Sequence, residues 1–434
     1  MDTEKIVIVI IVTVALGVGG FILWGPPDRC KRKAGRIGGL VNLGFTCFLN
    51  TLLQALASCP SMLEWLSQQE QVPGSLIQAL RDVVLVLNGQ HSTIFDDPYA
   101  PSDVIRSLVL KGWVISPGEQ DAHELFHVIM TTLLEEAHSG RSQALSLSVA
   151  LEGNANEVHD KNILPRRIQS DRGDFISRRS SAYSTVSSCS SFPSFQPVSQ
   201  APPFQGFLTS QFQCMVCKYK SAVMYDTFDS LSLHLPSVGE NIFMKKLTLH
   251  QLLNKFVSTE IVKDVTCEKC VGREDGKNVM KVCAMKTLNF GKLPKCLCIQ
   301  IQRTIWQRNG QAYKRYDYVE FPEYLSMDEY TFMQAQKQKA ITPEYFHNTG
   351  DGERTYIPKK YSPKHLYRLT GVIVHTGNLE AGHFITYRRA PIRDNNWYYT
   401  SDSEVRETSL KEVMQASAYM LFYNKCVQVI SKSS

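Results

Sequence analysis

The longest apolar run in the chain lies at its N-terminus, where residues 6–24 carry no charged side chain. At a rise of about 1.5 Å per residue, a helix of this length spans ~28 Å, enough to cross the hydrocarbon core of a bilayer. The basic segment that follows, residues 25–36, predicts that the rest of the chain faces the cytosol and that residues 1–5 lie on the other side. A buried core helix is the alternative interpretation of the run.

Beyond this segment, residues 37–140 place apolar side chains at helical spacing, for example at Leu52, Leu53 and Leu56, which predicts a mainly helical region. From about 141 to 203 this periodicity is lost, and serine and proline recur. Such a composition predicts an insertion without regular structure.

The second half of the chain shows the alternation of strands, first over residues 204–330 and again over 364–426. A polar stretch at about 335–362 separates the two parts and predicts a second insertion. We therefore expect one folded domain over 37–426, followed by a short tail, 427–434.

Composition narrows the class of protein. The 434 residues are 43% apolar, 20% charged and 10% aromatic, which is typical of a globular chain. The net charge of +6 is concentrated in the basic segment after the apolar run, so no basic surface for nucleic acid is expected. The twelve cysteines are too sparse for a disulfide scaffold, and a cytosolic orientation keeps thiols reduced.

Four of the cysteines have the spacing of a metal site. They form two C-x-x-C motifs, and each motif can present two thiolates from one tight turn. Two such turns complete a tetrahedral site for structural zinc, with unliganded structural cysteines as the alternative. No organic cofactor is expected. The predicted ligands are Cys214, Cys217, Cys267 and Cys270.

A candidate nucleophile, Cys47, stands at the predicted start of a helix, where the helix dipole stabilises a thiolate. Asn42, five residues earlier, can direct its side-chain amide at a developing oxyanion together with the backbone N–H of Cys47. A thiol nucleophile needs a histidine base, which is distant in sequence and adjacent in space. His375 and His383 are both candidates, and Gly382 before the second one leaves room for an extended substrate.

These motifs resemble the ubiquitin-specific proteases. Residues 39–54 are similar to the cysteine box of that family, 367–423 to its histidine box, and 120–125 to its Q-D-A-H-E element. Phe45 departs from the pattern, because most of the family has asparagine there. With its N-terminal apolar run, the chain is most similar to a membrane-anchored family member on the mitochondrial outer membrane, although the apolar pattern itself is equally compatible with the endoplasmic reticulum.

The resemblance implies an α+β, papain-like fold of thumb, palm and fingers, with zinc in the fingers, and cleavage of the isopeptide bond after the C-terminal glycine of ubiquitin. It assigns Cys47 as nucleophile, His383 as base and Asn42 as oxyanion donor. Asp121 and Glu124 match acidic positions that hold the basic tail of ubiquitin, where carboxylates pair strongly with arginine.

The third catalytic residue departs from the common pattern. The family usually has Asp or Asn at the position of Ser401, and Asp402 follows it. A serine can orient the histidine but carries no charge, which predicts a slower or more selective enzyme. The resemblance favours Ser401, with Asp402 supporting the oxyanion region.

The expected function is a deubiquitinase at the cytosolic face of the outer mitochondrial membrane, acting on ubiquitinated membrane proteins and opposing their clearance. The alternative is a weak or inactive scaffold that binds ubiquitin.

Overall fold

A computed structural model describes residues 35–114, 120–150, 166–167, 201–237, 246–270, 281–307, 309–340, 364–378, 382–390 and 396–426. For 114, 139–150, 166–167 and 337–340 only the backbone is described. Among these residues no helix is long and apolar enough to cross a membrane. The predicted span 6–24, most of the basic segment 25–36 and the tail 427–434 lie outside them.

The first part of the chain is helical, as its apolar spacing predicts. In the described part of the chain five helices precede the main strands, and the first of them is buried along its whole length. Ser75 caps the third helix by accepting a hydrogen bond from Gln78 N. The helices are α1 (Cys47–Ala57), α2 (Pro60–Gln68), α3 (Leu76–Leu87), α4 (Ser102–Leu110) and α5 (Ala122–Ala150).

Helix α5 extends further than the apolar pattern indicates, because it continues to Ala150 within the predicted insertion. Adding residues to an existing helix needs no new nucleus, so weakly periodic sequence can prolong it. Inside the same stretch, strand β2 (Arg166–Arg167) pairs in parallel with β1 (Trp113–Val114). The predicted insertion 141–203 therefore contains some regular structure.

A large sheet forms the centre of the molecule and carries the expected alternating segments. Its strands run in the order β17, β16, β15, β14, β18, β9 and β5, with β13 also paired to β14. These strands are β5 (Ser230–His234), β9 (Cys296–Gln302), β13 (Tyr324–Ser326), β14 (Leu366–Gly377), β15 (Gly382–Arg389), β16 (Trp397–Ser401), β17 (Glu404–Thr408) and β18 (Ala418–Lys425).

A second, four-stranded sheet has the order β4, β3, β8 and β7. It comprises β3 (Gly206–Cys214), β4 (Met224–Phe228), β7 (Glu260–Thr266) and β8 (Lys281–Lys292). The remaining elements are β6 (Leu247–Thr248), α6 (Leu249–Phe256), β10 (Thr304–Trp306), β11 (Ala312–Lys314), β12 (Val319–Glu320), a 3₁₀ turn (Asp328–Tyr330), α7 (Phe332–Ala340) and α8 (Leu410–Met414). Helix α7 covers the first residues of the predicted insertion 335–362, which thus also contains some regular structure.

Each face of the central sheet has its own apolar core, since successive strand residues point to opposite faces. On one face, Ile373, Met420 and Phe422 pack with the helices α1 to α5. On the other face, Val372 and Leu421 belong to a second core that includes α6. Helix α1 is thus buried between the sheet and the other helices, which places its N-terminus beside the strands.

Candidate active site

Cys47 is the first residue of α1, as the sequence predicts, and only 6% of its surface is exposed. The loop before it is organised by Asn42, whose Oδ1 accepts hydrogen bonds from Gly44 N at 3.0 Å and from Thr46 N at 3.1 Å. Gly44 and Phe45 both have positive φ, 93° and 55°. The chain therefore turns sharply just before the candidate nucleophile.

Helix α1 lies along strand β15, and polar side chains set their relative position. The Thr386 hydroxyl donates to the carbonyl of Thr51 at 2.8 Å. Further along both elements, Arg388 Nη1 donates to Gln54 Oε1 at 2.9 Å. Residue numbers increase in the same direction along α1 and β15 from the first pair to the second. The start of α1 and the start of β15 therefore lie at the same end of this helix and strand. Cys47 is the first residue of α1, and Gly382 and His383 are the first two residues of β15.

The imidazole of His383 has a defined partner on the neighbouring strand. Its Nε2 lies 2.8 Å from Ser401 Oγ at the end of β16. When Nε2 carries the proton, it donates to the serine oxygen and leaves Nδ1 as the acceptor for a thiol proton. The pairing thus accommodates the tautomer that a general base requires.

Asp402 does not share the position of Ser401, because it lies in the turn after β16 with a φ of 48°. Its carboxylate accepts hydrogen bonds from Asn42 Nδ2 at 2.9 Å and from Asn50 Nδ2 at 2.8 Å. Its backbone carbonyl also accepts from Leu40 N at 2.8 Å. Asp402 therefore holds the approach loop and α1 against the strands, and it orients the amide of Asn42.

The predicted acidic residues lie at the start of α5. Asp121 accepts hydrogen bonds from the backbone N–H groups of His123 at 2.7 Å and Glu124 at 3.2 Å. The Tyr419 hydroxyl also donates to this carboxylate, at 2.6 Å. Burial, with a smaller contribution from the charge of Asp121, raises the pKa of Glu124. These hydrogen bonds therefore hold the Asp121 side chain in place while it remains exposed at the surface.

His375 lies beside Gly382, next to the candidate site. Burial, followed by the charge of Lys314, lowers the pKa of His375 to about 4. Its ring is stacked on Phe384, with centroids 4.3 Å apart. A Cβ on Gly382 would lie 2.1 Å from His375 Nε2, so no other residue fits at 382 without displacing this ring. Glycine at 382 is expected from the sequence because it leaves room for a substrate. The contact with His375 is a second steric reason for glycine at this position.

Three residues of the site are not predicted from the sequence. They are Asn50, Tyr419 and Lys314. Asn50 is a polar residue at a buried position of α1, and this mismatch with the apolar pattern is the signal that could have revealed it. The roles of Tyr419 and Lys314 depend on partners that are distant in sequence, and no local pattern marks them.

The two C-x-x-C motifs meet at one end of the four-stranded sheet, as the spacing predicts. Cys214 ends β3 and Cys267 follows β7. The four sulfur atoms lie within 4.8 Å of one another, with Cys214 and Cys270 3.8 Å apart and Cys217 and Cys267 3.5 Å apart. Zn–S bonds of about 2.3 Å in a tetrahedron place sulfurs ~3.8 Å apart, so these four residues fit zinc. A closed four-thiolate site stabilises the fold and takes no part in the reaction.

Comparison with known proteins agrees with this chemistry. The sequence profile of the family described as ubiquitin carboxyl-terminal hydrolase matches residues 38–423. Ubiquitin carboxyl-terminal hydrolase 30 of Homo sapiens is 33% identical over 494 residues, covering 98% of this chain and 91% of that protein. Its namesake from Xenopus tropicalis is 34% identical over 477 residues, covering 95% of this chain and 86% of that protein.

Among solved structures, the fold is similar to a chain of the SAGA Ubp8/Sgf11/Sus1/Sgf73 DUB module bound to ubiquitin aldehyde. The TM-score is 0.57 at 24% identity, covering 96% of this chain and 75% of that chain. This likeness shows the α+β fold, and the profile and the relatives show the activity. The chain therefore belongs to the ubiquitin carboxyl-terminal hydrolase family and is a cysteine-type deubiquitinase.

Proposed function

We propose that Cys47, His383 and Ser401 form the catalytic triad that hydrolyses the isopeptide bond after the C-terminal glycine of ubiquitin. His383 takes the proton of the Cys47 thiol, and the sulfur attacks the glycine carbonyl carbon. The imidazolium then returns the proton to the departing lysine amine as the C–N bond breaks, which leaves a thioester on Cys47. Water, deprotonated by His383, hydrolyses this thioester and frees the ubiquitin carboxylate and the thiol.

In each tetrahedral intermediate the former carbonyl oxygen carries negative charge. We assign the backbone N–H of Cys47 and the Nδ2 of Asn42 to its stabilisation. Asp402 supports this assignment, since it accepts a hydrogen bond from the same Nδ2 at 2.9 Å and so sets the orientation of the amide. Serine in place of a carboxylate beside His383 leaves the imidazolium without a neighbouring negative charge, so we expect slower turnover than an aspartate would give.

One observation carries the assignment of the triad: His383 Nε2 lies 2.8 Å from Ser401 Oγ, at the end of the sheet where α1 begins with Cys47. Relatives with solved structures are described as bound to ubiquitin aldehyde and to monoubiquitin, which supports ubiquitin as the partner here. We assign Asp121 and Glu124 to the arginines of the ubiquitin tail, and Gly382 to its passage.

We further infer that residues 6–24 anchor the enzyme in a membrane with the catalytic domain in the cytosol. The apolar run and the basic segment after it support this orientation. The resemblance to a membrane-anchored relative favours the mitochondrial outer membrane over the endoplasmic reticulum. The substrates are then ubiquitinated membrane proteins, and their deubiquitination opposes ubiquitin-dependent clearance.

The test is labelling of the full chain, in detergent, by ubiquitin that carries a C-terminal electrophile. Wild type should be labelled, and Cys47→Ala should not. Cys283→Ala, which alters an exposed cysteine of β8, is the matched control and should be labelled like wild type. Failure to label a folded, zinc-loaded wild type would contradict the proposal and favour a ubiquitin-binding scaffold.

A further inference from the structure

Lys314 lies at the end of β11 and joins that hairpin to the end of β14. Its ammonium donates to three acceptors, His375 Nδ1 at 3.0 Å, the His375 carbonyl at 3.0 Å and the Gly377 carbonyl at 2.7 Å. An ammonium has three N–H groups, so it can donate to all three acceptors at once. Tyr316 OH adds a bond of 3.2 Å to the Gly377 carbonyl.

The atoms that Lys314 holds are directly opposite the residues of the active site. In the register of β14 with β15, Gly377 pairs with Gly382 and Thr376 pairs with His383. The Thr376 hydroxyl also donates to the His383 carbonyl at 3.0 Å. Movement of this end of β14 would therefore move the base and the glycine before it.

The side chain of His375 adds a second connection. Its Nδ1 accepts from Lys314, which puts the ring proton of a neutral imidazole on Nε2. That Nε2 is buried, faces the position of a Cβ on Gly382, and has no hydrogen-bond partner among the described residues. Leaving a buried donor unsatisfied costs about 1–3 kcal/mol, so the surrounding contacts must be holding the ring in this place.

We propose that Lys314, acting through His375 and the end of β14, is a positioning residue that sets the location of His383 relative to Cys47. The inference rests on the proposed function of these two residues. It assigns a role to a cation that reaches the triad through the backbone of β14. A shift of about 1 Å at the base is enough to cost a large factor in rate, which is why such a support matters.

The test compares Lys314→Met with Lys295→Met in the full chain. Methionine keeps the stem and removes the ammonium, and the exposed Lys295 lies before β9 at the opposite end of the sheet, so it is a matched control. With a fluorogenic ubiquitin substrate, we expect Lys314→Met to lower kcat about tenfold or more while KM changes less than about threefold. Lys295→Met should behave as wild type.

A second pair of variants separates the hydrogen bond from the shape of the ring. Asparagine and leucine have the same number and branching of side-chain heavy atoms, but only asparagine offers an acceptor where His375 presents Nδ1. We therefore expect His375→Asn to retain more of kcat than His375→Leu. Combining Lys314→Met with His375→Leu should reduce kcat by less than the product of the single effects, because the two residues act together.

Alkylation of Cys47 by iodoacetamide distinguishes a failure of this inference from a failure of the proposed function, because it needs no ubiquitin. At neutral pH, Lys314→Met and His375→Leu should slow alkylation about fivefold through loss of the aligned imidazole. Alkylation and kcat within about twofold of wild type in a folded Lys314→Met protein would overturn the inference. Equal kcat of His375→Asn and His375→Leu would also overturn it.

Discussion

The Nε2 atom of His383 lies 2.8 Å from the hydroxyl oxygen of Ser401, so a neutral group orients the candidate base of this enzyme. A hydroxyl can accept the imidazole N–H and orient the ring, but it offers no negative charge to the imidazolium that forms during thiol attack. The contact thus separates the orienting role of a third catalytic residue from its electrostatic role, and each can be tested alone.

Replacing Ser401 by alanine should lower kcat at least about tenfold, because the imidazole loses the hydrogen-bond partner that orients it. Ser401→Asp should retain more activity than Ser401→Ala, because a carboxylate both orients and stabilises the imidazolium. Ser403→Ala, in the exposed turn that follows, is the control. Hydrolysis of a fluorogenic ubiquitin substrate measures all three, and full activity of Ser401→Ala would contradict the assignment.

Removing the carboxylate of Asp402 should reduce kcat more than it raises KM, because Asn42 and Asn50 lose their common acceptor. Asp402→Asn keeps one acceptor oxygen, and asparagine tolerates the positive φ of 48°. We therefore expect Asp402→Asn to lie between wild type and Asp402→Ala. Steady-state kinetics with the same substrate gives the comparison, and wild-type activity of Asp402→Ala would show that the carboxylate has no such role.

Phe45→Asn should stabilise the protein by about 1 kcal/mol, because asparagine adopts the left-handed conformation at lower cost than phenylalanine. Phe45 has a φ of 55° and is 64% exposed, so little packing is lost. Leu43→Asn, in the same exposed loop but without a positive φ, should give no such gain. Urea unfolding measures both variants, and a destabilised Phe45→Asn would mean that the aromatic ring makes a stabilising contact.

Stability should fall as the pH is lowered from about 6.5, partly because of His123. Burial lowers the pKa of this residue from 6.5 to about 3 in the folded protein, so the unfolded chain binds more protons between these values. Each buried neutral histidine then makes stability decrease by up to about 1.4 kcal/mol per pH unit within that window. Its Nε2 lies 2.8 Å from Ser230 Oγ, which fixes the ring.

The measurement is urea unfolding at pH 7 and at pH 5 for His123→Gln. This variant should lose less stability over the interval than wild type does. His138→Gln makes the same substitution at an exposed histidine of the same helix and is the matched control. A His123→Gln protein with the full wild-type pH dependence would exclude His123 as a cause.

Cys217→Ser should remove bound zinc and lower the free energy of unfolding, because a site with three thiolates holds the metal less tightly and no longer closes the tetrahedron. Cys283→Ser alters a cysteine on the neighbouring strand that lies outside the cluster. The control should keep one zinc per chain and wild-type stability. Metal analysis and thermal unfolding provide the two readouts, and retention of zinc by Cys217→Ser would show that the four sulfurs do not act as one site.

The parts that the sequence predicts well are those encoded by short segments. The two C-x-x-C motifs each form a local turn, so their spacing alone indicates a shared site. Cys47 at the start of a helix and His383 at the start of a strand follow from local apolar periodicity. The pattern of alternating residues likewise identifies β5, β9 and β14.

The parts that escape prediction depend on packing between distant segments. Nothing near Asn50 indicates that it bonds Asp402, which is 352 residues away. Phe45 illustrates the same limit. Its departure from the family pattern is visible in the sequence, but only the backbone shows that the position has a positive φ, a conformation that asparagine adopts readily.

The bonds from Asp402 to Asn42 and Asn50 also govern when the enzyme can become active during its own synthesis. Cys47 is translated before its candidate base, His383, and the carboxylate that aligns the approach loop follows 360 residues after Asn42. A nascent or truncated chain that lacks β15 and β16 therefore lacks the residues proposed to assist the cysteine. We expect deubiquitination only from chains that extend at least through Asp402.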